Sequence, residues 1–354
     1  MPLVGKLAGA LILGTVLWLW VDWKEAAVAL SHADPLLLVL AFVASVASVI
    51  VSARKWQNLL DRIGVLLGFG LSAKLYWIGS FFSNFLPTGV GGDAVRLLLT
   101  PAQGRLSEVA GTIVVERLTG LLIMLLMAAA GLALQPLGLS VGWFENALLV
   151  IVLGLAGMVS AVLLMPRLAL VVLDRIGGCL PSRLRAPFGY ARKVAAGIIG
   201  PACDIEAVCW AVLLSIPFYA ANILAHYWML HAVGAEITLP QVALAAPVVL
   251  LVGLLPFTIN GLVLAEGAFV VVYAAAGIPP ELALAAAIVR RLIDLANSSV
   301  GGILWLGWQG EDNGAAALTG ATRRNWRKLW ARLRGTTVQA SARPVSYQIG
   351  EHAA

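Results

Sequence analysis

The chain has 354 residues, of which 60% are hydrophobic and only 12% are charged, and its mean hydropathy is +0.92. A soluble domain carries about twice that charged fraction, so the composition excludes a soluble globular protein. The sequence predicts an all-α, polytopic membrane protein. Its net charge of +6 is expected in loops at the membrane surface, and no nucleic-acid partner is expected. The three cysteines and four histidines are scattered, so we expect no metal and no cofactor.

The first apolar run, residues 7–21, is predicted to be a retained membrane span. Trp18, Trp20 and Trp23 near its end resemble the aromatic belt at a membrane interface. A signal peptide is the alternative, because Ala27-Val28-Ala29 resembles a small-residue cleavage site.

Basic residues mark one side of the predicted membrane topology. They concentrate in residues 54–74, 167–193 and 323–334, which predicts that these segments and both termini are cytoplasmic. We expect residues 54–74 to form an amphipathic helix on that surface, because Trp56, Leu59 and Leu60 recur at helical spacing. Residues 1–310 form the predicted transmembrane domain. Residues 311–354 form a basic, largely disordered cytoplasmic tail that rests on anionic lipid.

Two apolar segments are too short and too broken to be ordinary spans. Residues 75–99 are interrupted at Pro87, and residues 242–276 are interrupted by P-F-T-I-N-G, which begins at Pro256. A helix needs about 20 residues to cross a bilayer, and neither half of either segment reaches that length. We predict two re-entrant hairpins, the first from the cytoplasmic side and the second from the outer side, together with six full spans. Eight ordinary spans are the alternative, which hydropathy alone does not separate. The six full spans are predicted at residues 7–21, 35–53, 109–134, 147–165, 207–230 and 282–308.

The two broken segments resemble each other. Each has Leu-Pro, then glycine, then one carboxylate, which is Asp93 in the first and Glu266 in the second. Arg117 follows Asp93 by 24 residues, and Arg291 follows Glu266 by 25 residues. An inverted repeat, as in secondary transporters, is the interpretation that we favour. The alternative is that two apolar sequences rich in glycine and proline resemble each other by chance.

The membrane-embedded charges are the candidate site. An ionised side chain near the bilayer centre costs about 2.5–3.5 kcal/mol, so eight such residues must pair or line water. Arginines suit an anionic head group, and carboxylates suit a cationic group or protons. The alternative is a set of buried ion pairs that hold helices in register. Broken backbone at membrane depth also needs cover from protein or water, and helix N-termini there donate N–H groups to anions. The predicted substrate-binding residues are Asn84, Pro87, Gly91, Gly92, Asp93, Arg96, Glu116, Arg117, Asn260, Glu266, Arg290, Arg291 and Asp294.

Three stretches resemble the hallmark motifs of the lysylphosphatidylglycerol synthase transmembrane family of flippase-like membrane proteins. They are N-F-L-P-T-G-V-G-G-D-A-V-R, V-V-E-R-L-T-G-L-L and L-L-P-F-T-I-N-G-L-V-L-A-E-G-A-F. The resemblance implies translocation of a lipid. Multidomain relatives add an aminoacyl-transferring domain, and the tail after Trp308 is too short for one, so we expect a stand-alone member. The second motif lacks the arginine that usually precedes the carboxylate at Glu266.

These observations predict a flippase of the bacterial inner membrane that moves an anionic, polyprenyl-type or hopanoid-type lipid. The alternative is an accessory or scaffold protein that binds lipid-biosynthetic enzymes. An enzyme is not expected, because no G-x-S-x-G, H-E-x-x-H or P-loop motif occurs.

Overall fold

A computed structural model describes residues 21–85, 91–101, 105–134, 143–167, 171, 175, 204–253 and 264–310. Within these residues every regular element is a helix, in agreement with the predicted all-α membrane fold. Residues 7–20 of the predicted span at 7–21, the site residues Pro87 and Asn260, and the tail at residues 311–354 lie outside the described residues. The ten described helices are α1 (Trp23–Ser31), α2 (Pro35–Arg62), α3 (Phe69–Phe85), α4 (Gly91–Leu99), α5 (Leu106–Leu134), α6 (Trp143–Leu164), α7 (Ile205–Ala232), α8 (Leu239–Gly253), α9 (Leu264–Ala275) and α10 (Pro280–Gly310).

Helix lengths separate the spans from the hairpins. Among the described helices, α2, α5 and α7 are long and apolar enough to cross a membrane. Helix α10 has 31 residues but carries the charged stretch, whereas α4, α8 and α9 have only 9, 15 and 12 residues. These short helices fall below the 20 or so residues that a membrane span requires.

The predicted amphipathic surface helix at residues 54–74 is wrong. Helix α2 continues without interruption to Arg62, and Trp56, Leu59 and Leu60 are fully buried inside the bundle. The apolar stripe that suggested a helix lying on lipid instead packs against residues of other helices, including Val109 and Val115 of α5. Periodicity identified an apolar face, but it could not tell a lipid surface from a protein surface.

The first hairpin begins and ends on the same side of the fold. A Cβ atom at Gly92 would overlap the Gly79 carbonyl oxygen and the Ser83 hydroxyl, so α4 runs back along α3 in very close contact. Beyond α4, the Arg105 guanidinium donates to the Ile63 carbonyl at 2.6 Å, beside the turn from which α3 starts. The chain therefore returns to the side that it left.

The second hairpin has the same shape. Helix α8 begins a few residues after α7 ends. Near the end of α9, the Tyr273 hydroxyl lies 3.0 Å from Nδ1 of His226, which is close to the end of α7. Helix α9 thus returns to the side at which α8 begins.

The two hairpins enter from opposite sides because α2 and α7 are equivalent, antiparallel helices. Both have 28 residues. Each ends at a glycine with positive φ, Gly64 at 73° and Gly234 at 84°, where left-handed backbone favours glycine. Arg62 at the end of α2 pairs with Asp204 before α7 at 3.2 Å. At the other end, the Asp34 N–H donates to the Ala232 carbonyl at 2.9 Å.

The repeat that starts with α2 is therefore inverted relative to the repeat that starts with α7. This is the predicted arrangement, and it excludes eight ordinary spans, since neither described hairpin crosses the bundle. Packing is reciprocal, because α3 lies against α10 and α8 lies against α5. The first of these contacts is especially close, since a Cβ atom at Gly301 would overlap the Trp77 carbonyl.

Candidate functional site

The same ion pair occurs once in each repeat. Asp93 and Glu266 are the third residues of α4 and α9, and Arg117 and Arg291 are the twelfth residues of α5 and α10. Arg117 Nη2 lies 3.1 Å from Asp93 Oδ1, and Arg291 Nε donates to Glu266 Oε1 at 2.6 Å. Each bridge ties the second half of a hairpin to the long helix that follows it.

The first repeat surrounds its ion pair with a dense buried network. Arg96 donates to Glu116 Oε2 at 2.7 Å and lies 3.4 Å from Asp93 Oδ1. Its guanidinium also lies over the rings of Trp56 and Tyr76, at 4.4 and 4.6 Å from their centroids. The Tyr76 hydroxyl donates to Glu116 Oε1 at 2.9 Å. Burying an ion pair is favourable only with good geometry and further hydrogen bonds. The pair of Arg96 and Glu116 has a short contact and the Tyr76 hydrogen bond, and one nitrogen of it, Arg96 Nε, is buried without a hydrogen-bond partner among the described residues.

The second repeat places a different chemistry at the same positions. Phe269 stands where the first repeat has Arg96, and Arg290 stands where it has Glu116. The Arg290 guanidinium lies 4.0 Å from Asp294, one helical turn further on, and the Asp294 side chain is 47% exposed. Arg290 Nε and Glu266 Oε2 are buried without a hydrogen-bond partner among the described residues. Buried polar atoms in this condition indicate a site for water or a ligand.

A cavity of about 380 Å³ opens beside this second cluster. Hydrogen bonds connect its walls: Asn84 donates to Ser298 at 2.6 Å, and Asn297 donates to Ser45 at 2.9 Å. Trp77 also donates to Asn297, at 3.0 Å. Eleven of its sixteen lining residues are serine, asparagine or charged, which is unusual inside a membrane protein. The eleven are Ser45, Ser48, Ser80, Ser83, Asn84, Asn222, Arg290, Arg291, Asp294, Asn297 and Ser298. We call this space the polar cavity.

A second cavity, of about 280 Å³, lies beside the first cluster. Lys55, Glu116 and Arg117 line it, but most of its surface is apolar. Its other lining residues are Ser52, Tyr76, Leu118, Gly120, Leu121, Met124, Phe218, Tyr219 and Leu250. We call this space the apolar cavity. Leu250 of α8 lines both cavities and so lies between them.

The equivalent arginines of the two repeats do not line one shared cavity. Arg117 lines the apolar cavity and Arg291 lines the polar cavity. Inversion explains this, because equivalent residues share one site only when they lie on the symmetry axis. Arg96 lines neither cavity, and Gly92 serves close packing between α3 and α4.

Sequence reasoning missed the hydroxyl and amide walls of the polar cavity. Ser45 and Ser48 are three residues apart on α2, and Ser80 and Ser83 are three residues apart on α3. Small polar residues repeated at helical spacing on an apolar helix form one polar face. The spacing of these serines is therefore the sequence signal for the polar cavity, which the isolated charges alone do not give. Among the described residues no group of three or more metal-binding side chains occurs.

Comparison with known proteins supports an integral membrane protein. The sequence model described as "Lysylphosphatidylglycerol synthase TM region" matches residues 6–302. The chain is also similar to the UPF0104 membrane protein of Pyrococcus horikoshii. The two are 23% identical over 325 residues, which cover 84% of this chain and 94% of that relative.

Proposed function

Because this chain belongs to the lysylphosphatidylglycerol synthase TM family, we propose that it moves a lipid between the leaflets of a bacterial inner membrane. The lipid is anionic, or of polyprenyl or hopanoid type, and both chain termini are cytoplasmic. The proposal involves no catalytic step, cofactor or metal. It includes binding of anionic lipid by the basic loops.

The polar cavity is the observation that carries this proposal. A purely structural ion pair in a membrane gains most at hydrogen-bonding distance, as Arg96 and Glu116 are. Arg290 and Asp294 are 4.0 Å apart instead, and Asp294 is half exposed. Their charges remain available to the polar head group of a lipid. The surrounding serines and asparagines would form hydrogen bonds with this head group in place of water.

The inverted repeats give the head group a path. Discontinuous helices at the junction of such repeats form substrate sites near the membrane midplane in secondary transporters. Here each hairpin has one cavity beside its ion pair, and Leu250 lies between the two. In our proposal the head group crosses the protein through these cavities, while the acyl chains stay in the bilayer.

Reconstitution tests the proposal directly. Purified protein is placed in vesicles that contain phosphatidylglycerol with a fluorescent acyl chain, and dithionite is added outside. We expect the bleached fraction to rise from the outer-leaflet share to nearly all of the label. The Asp294→Asn variant should slow this at least about tenfold, a change of about 1.4 kcal/mol in the barrier. Leu292→Ala is the matched control, because Leu292 lies two residues away on α10 and is exposed.

The accessory or scaffold function is the second candidate. It is favoured by the tight network of Arg96, Glu116 and Tyr76, whose hydrogen bonds suit a rigid core. A scaffold would bind lipid-biosynthetic enzymes and leave the label in its leaflet. Bleaching that stops at the outer-leaflet share, with folded protein in the vesicles, would favour it.

A further inference from the structure

We propose that the apolar cavity is a separate binding site for a monoanionic amphiphile, with the oxyanion held between Lys55 and Arg117. The site rests on the proposed function in so far as the apolar cavity lies on the proposed path of the head group, but binding to the resting protein is measured without translocation, so the two can fail separately. The two chemical sources of such a ligand are a fatty-acid carboxylate and a phosphodiester lipid.

Lys55 is the first observation. It is only 5% exposed, on a membrane-spanning helix. Its ammonium donates to the Glu116 backbone carbonyl at 2.8 Å and to the Ser215 hydroxyl at 2.7 Å, both of them neutral acceptors. An ammonium has three N–H groups. The third has no acceptor among the described residues, and Lys55 lines the cavity.

Arg117 supplies a second unused donor. Its Nε and Nη2 both bond Asp93, at 3.2 and 3.1 Å. Its Nη1 has no hydrogen-bond partner among the described residues, and 54% of its side chain is exposed. An arginine whose other edge is fixed by a carboxylate is preorganised to bind an oxyanion.

The described charged residues around the apolar cavity carry one excess positive charge. Around the apolar cavity, the described cations Lys55, Arg96 and Arg117 outnumber the described carboxylates Asp93 and Glu116 by one. Around the polar cavity, the two described arginines match the two described carboxylates. Charges inside a membrane are paired as a rule, so a single negative charge would complete the first cluster.

The cavity walls indicate that this anion carries a hydrocarbon chain. Leucine, methionine and phenylalanine side chains form most of the surface beyond the charged end. Gly120 widens the space, since a Cβ atom there would lie 3.6 Å from the Tyr219 hydroxyl and 3.7 Å from Lys55 Nζ. A free inorganic anion would leave the apolar part of the cavity unfilled, whereas an amphiphile fills both parts.

Binding of cis-parinaric acid to the purified protein in a neutral detergent tests the site, with energy transfer from tryptophan as the readout. We expect saturable binding of the acid and at least about tenfold weaker binding of its methyl ester, which is about 1.4 kcal/mol. Lys55→Met removes the ammonium and should weaken binding to the same degree. The same substitution at the exposed Lys24 of α1 is the control.

Gly120→Leu is the second variant, because it fills the cavity and leaves both cations in place. We expect it to abolish saturable binding in folded protein. Displacement by oleate alone would assign a carboxylate, and displacement by dioleoylphosphatidylglycerol as well would include the phosphodiester. Equal binding of acid and ester, unchanged binding by both variants, or equal displacement by phosphatidylcholine would overturn the proposal.

Discussion

Glu116 and Arg290 occupy equivalent positions in the two inverted repeats and carry opposite charges. Each is the eleventh residue of the long helix that follows its hairpin. Glu116 neutralises Arg96 at 2.7 Å, whereas the carboxylate that pairs with Arg290 among the described residues is Asp294, at 4.0 Å. In the first repeat these charges meet at hydrogen-bonding distance, and we call this the closed network. In the second repeat Arg290 and Asp294 lie beyond that distance, and we call this the open network.

Removing charge from the closed network should destabilise the protein. Glu116→Gln leaves Arg96 buried against a neutral partner, and breaking a buried pair costs about 3–5 kcal/mol. We expect a large fall in thermal stability in detergent, measured by fluorescence-detected size exclusion. Glu206→Gln is the control, since Glu206 forms an exposed pair with Arg62 and such pairs contribute about 0–1 kcal/mol. Equal stability of the two variants would contradict the ion-pair account of Glu116.

Close packing of α3 against α10 should tolerate no side chain at Gly301. Gly301→Ala places a methyl group against the Trp77 carbonyl, and overpacking costs about 1–3 kcal/mol. Gly307→Ala on the same helix meets nothing within 4 Å and should be neutral or slightly stabilising. Thermal stability of the two variants checks this. A Gly301→Ala protein as stable as Gly307→Ala would show that the two helices are not in such close contact.

Leu250 should control passage between the cavities. Leu250→Ala removes the side chain that both cavities share and should speed translocation of the fluorescent lipid. Leu250→Trp should slow it several-fold, about 1 kcal/mol in the barrier. Leu239→Trp is the control, because Leu239 is the exposed first residue of the same helix. Identical rates for Leu250→Ala and Leu250→Trp would rule out a path past this residue.

The turns after α2 and α7 should face opposite sides of the membrane. Leu66 and Glu236 are exposed residues that follow the equivalent glycines Gly64 and Gly234 by two positions. In a background without native cysteines, Leu66→Cys should react with a membrane-impermeant maleimide only from the cytoplasm. Glu236→Cys should react only from outside. Labelling of both from the same side would contradict the inverted repeat.

Sequence patterns predicted the connectivity of this fold better than its surfaces. Pro87, the glycine run and Asp93 predicted the first hairpin, because proline and glycine interrupt a helix at their own positions in the sequence. The matched spacing from Asp93 to Arg117 and from Glu266 to Arg291 predicted the repeat, and the structure then showed that each spaced pair is an ion pair. Local patterns do not show what a helix face touches. The stripe at Trp56 was therefore assigned to lipid although it packs in the core.

The separation into two cavities was also beyond the sequence. Sequence similarity between the repeats indicates that two sites are equivalent. It does not give the distance of either site from the symmetry axis that relates the two repeats. Ser45 and Ser48 resemble ordinary small residues of an apolar helix in the sequence. They line a polar cavity because polar residues of α3 and α10 lie beside them in the structure.

Arg290→Gln gives the most direct test of the central claim, that the open network of the second repeat binds the transported head group. Fluorescent phosphatidylglycerol translocation and thermal stability are measured on the same purified protein, with Leu292→Ala as the reference. We predict that Arg290→Gln lowers the translocation rate at least about tenfold, or about 1.4 kcal/mol, while its stability stays close to that of the reference. A variant that unfolds as Glu116→Gln does, or one that translocates at the reference rate, would contradict the claim.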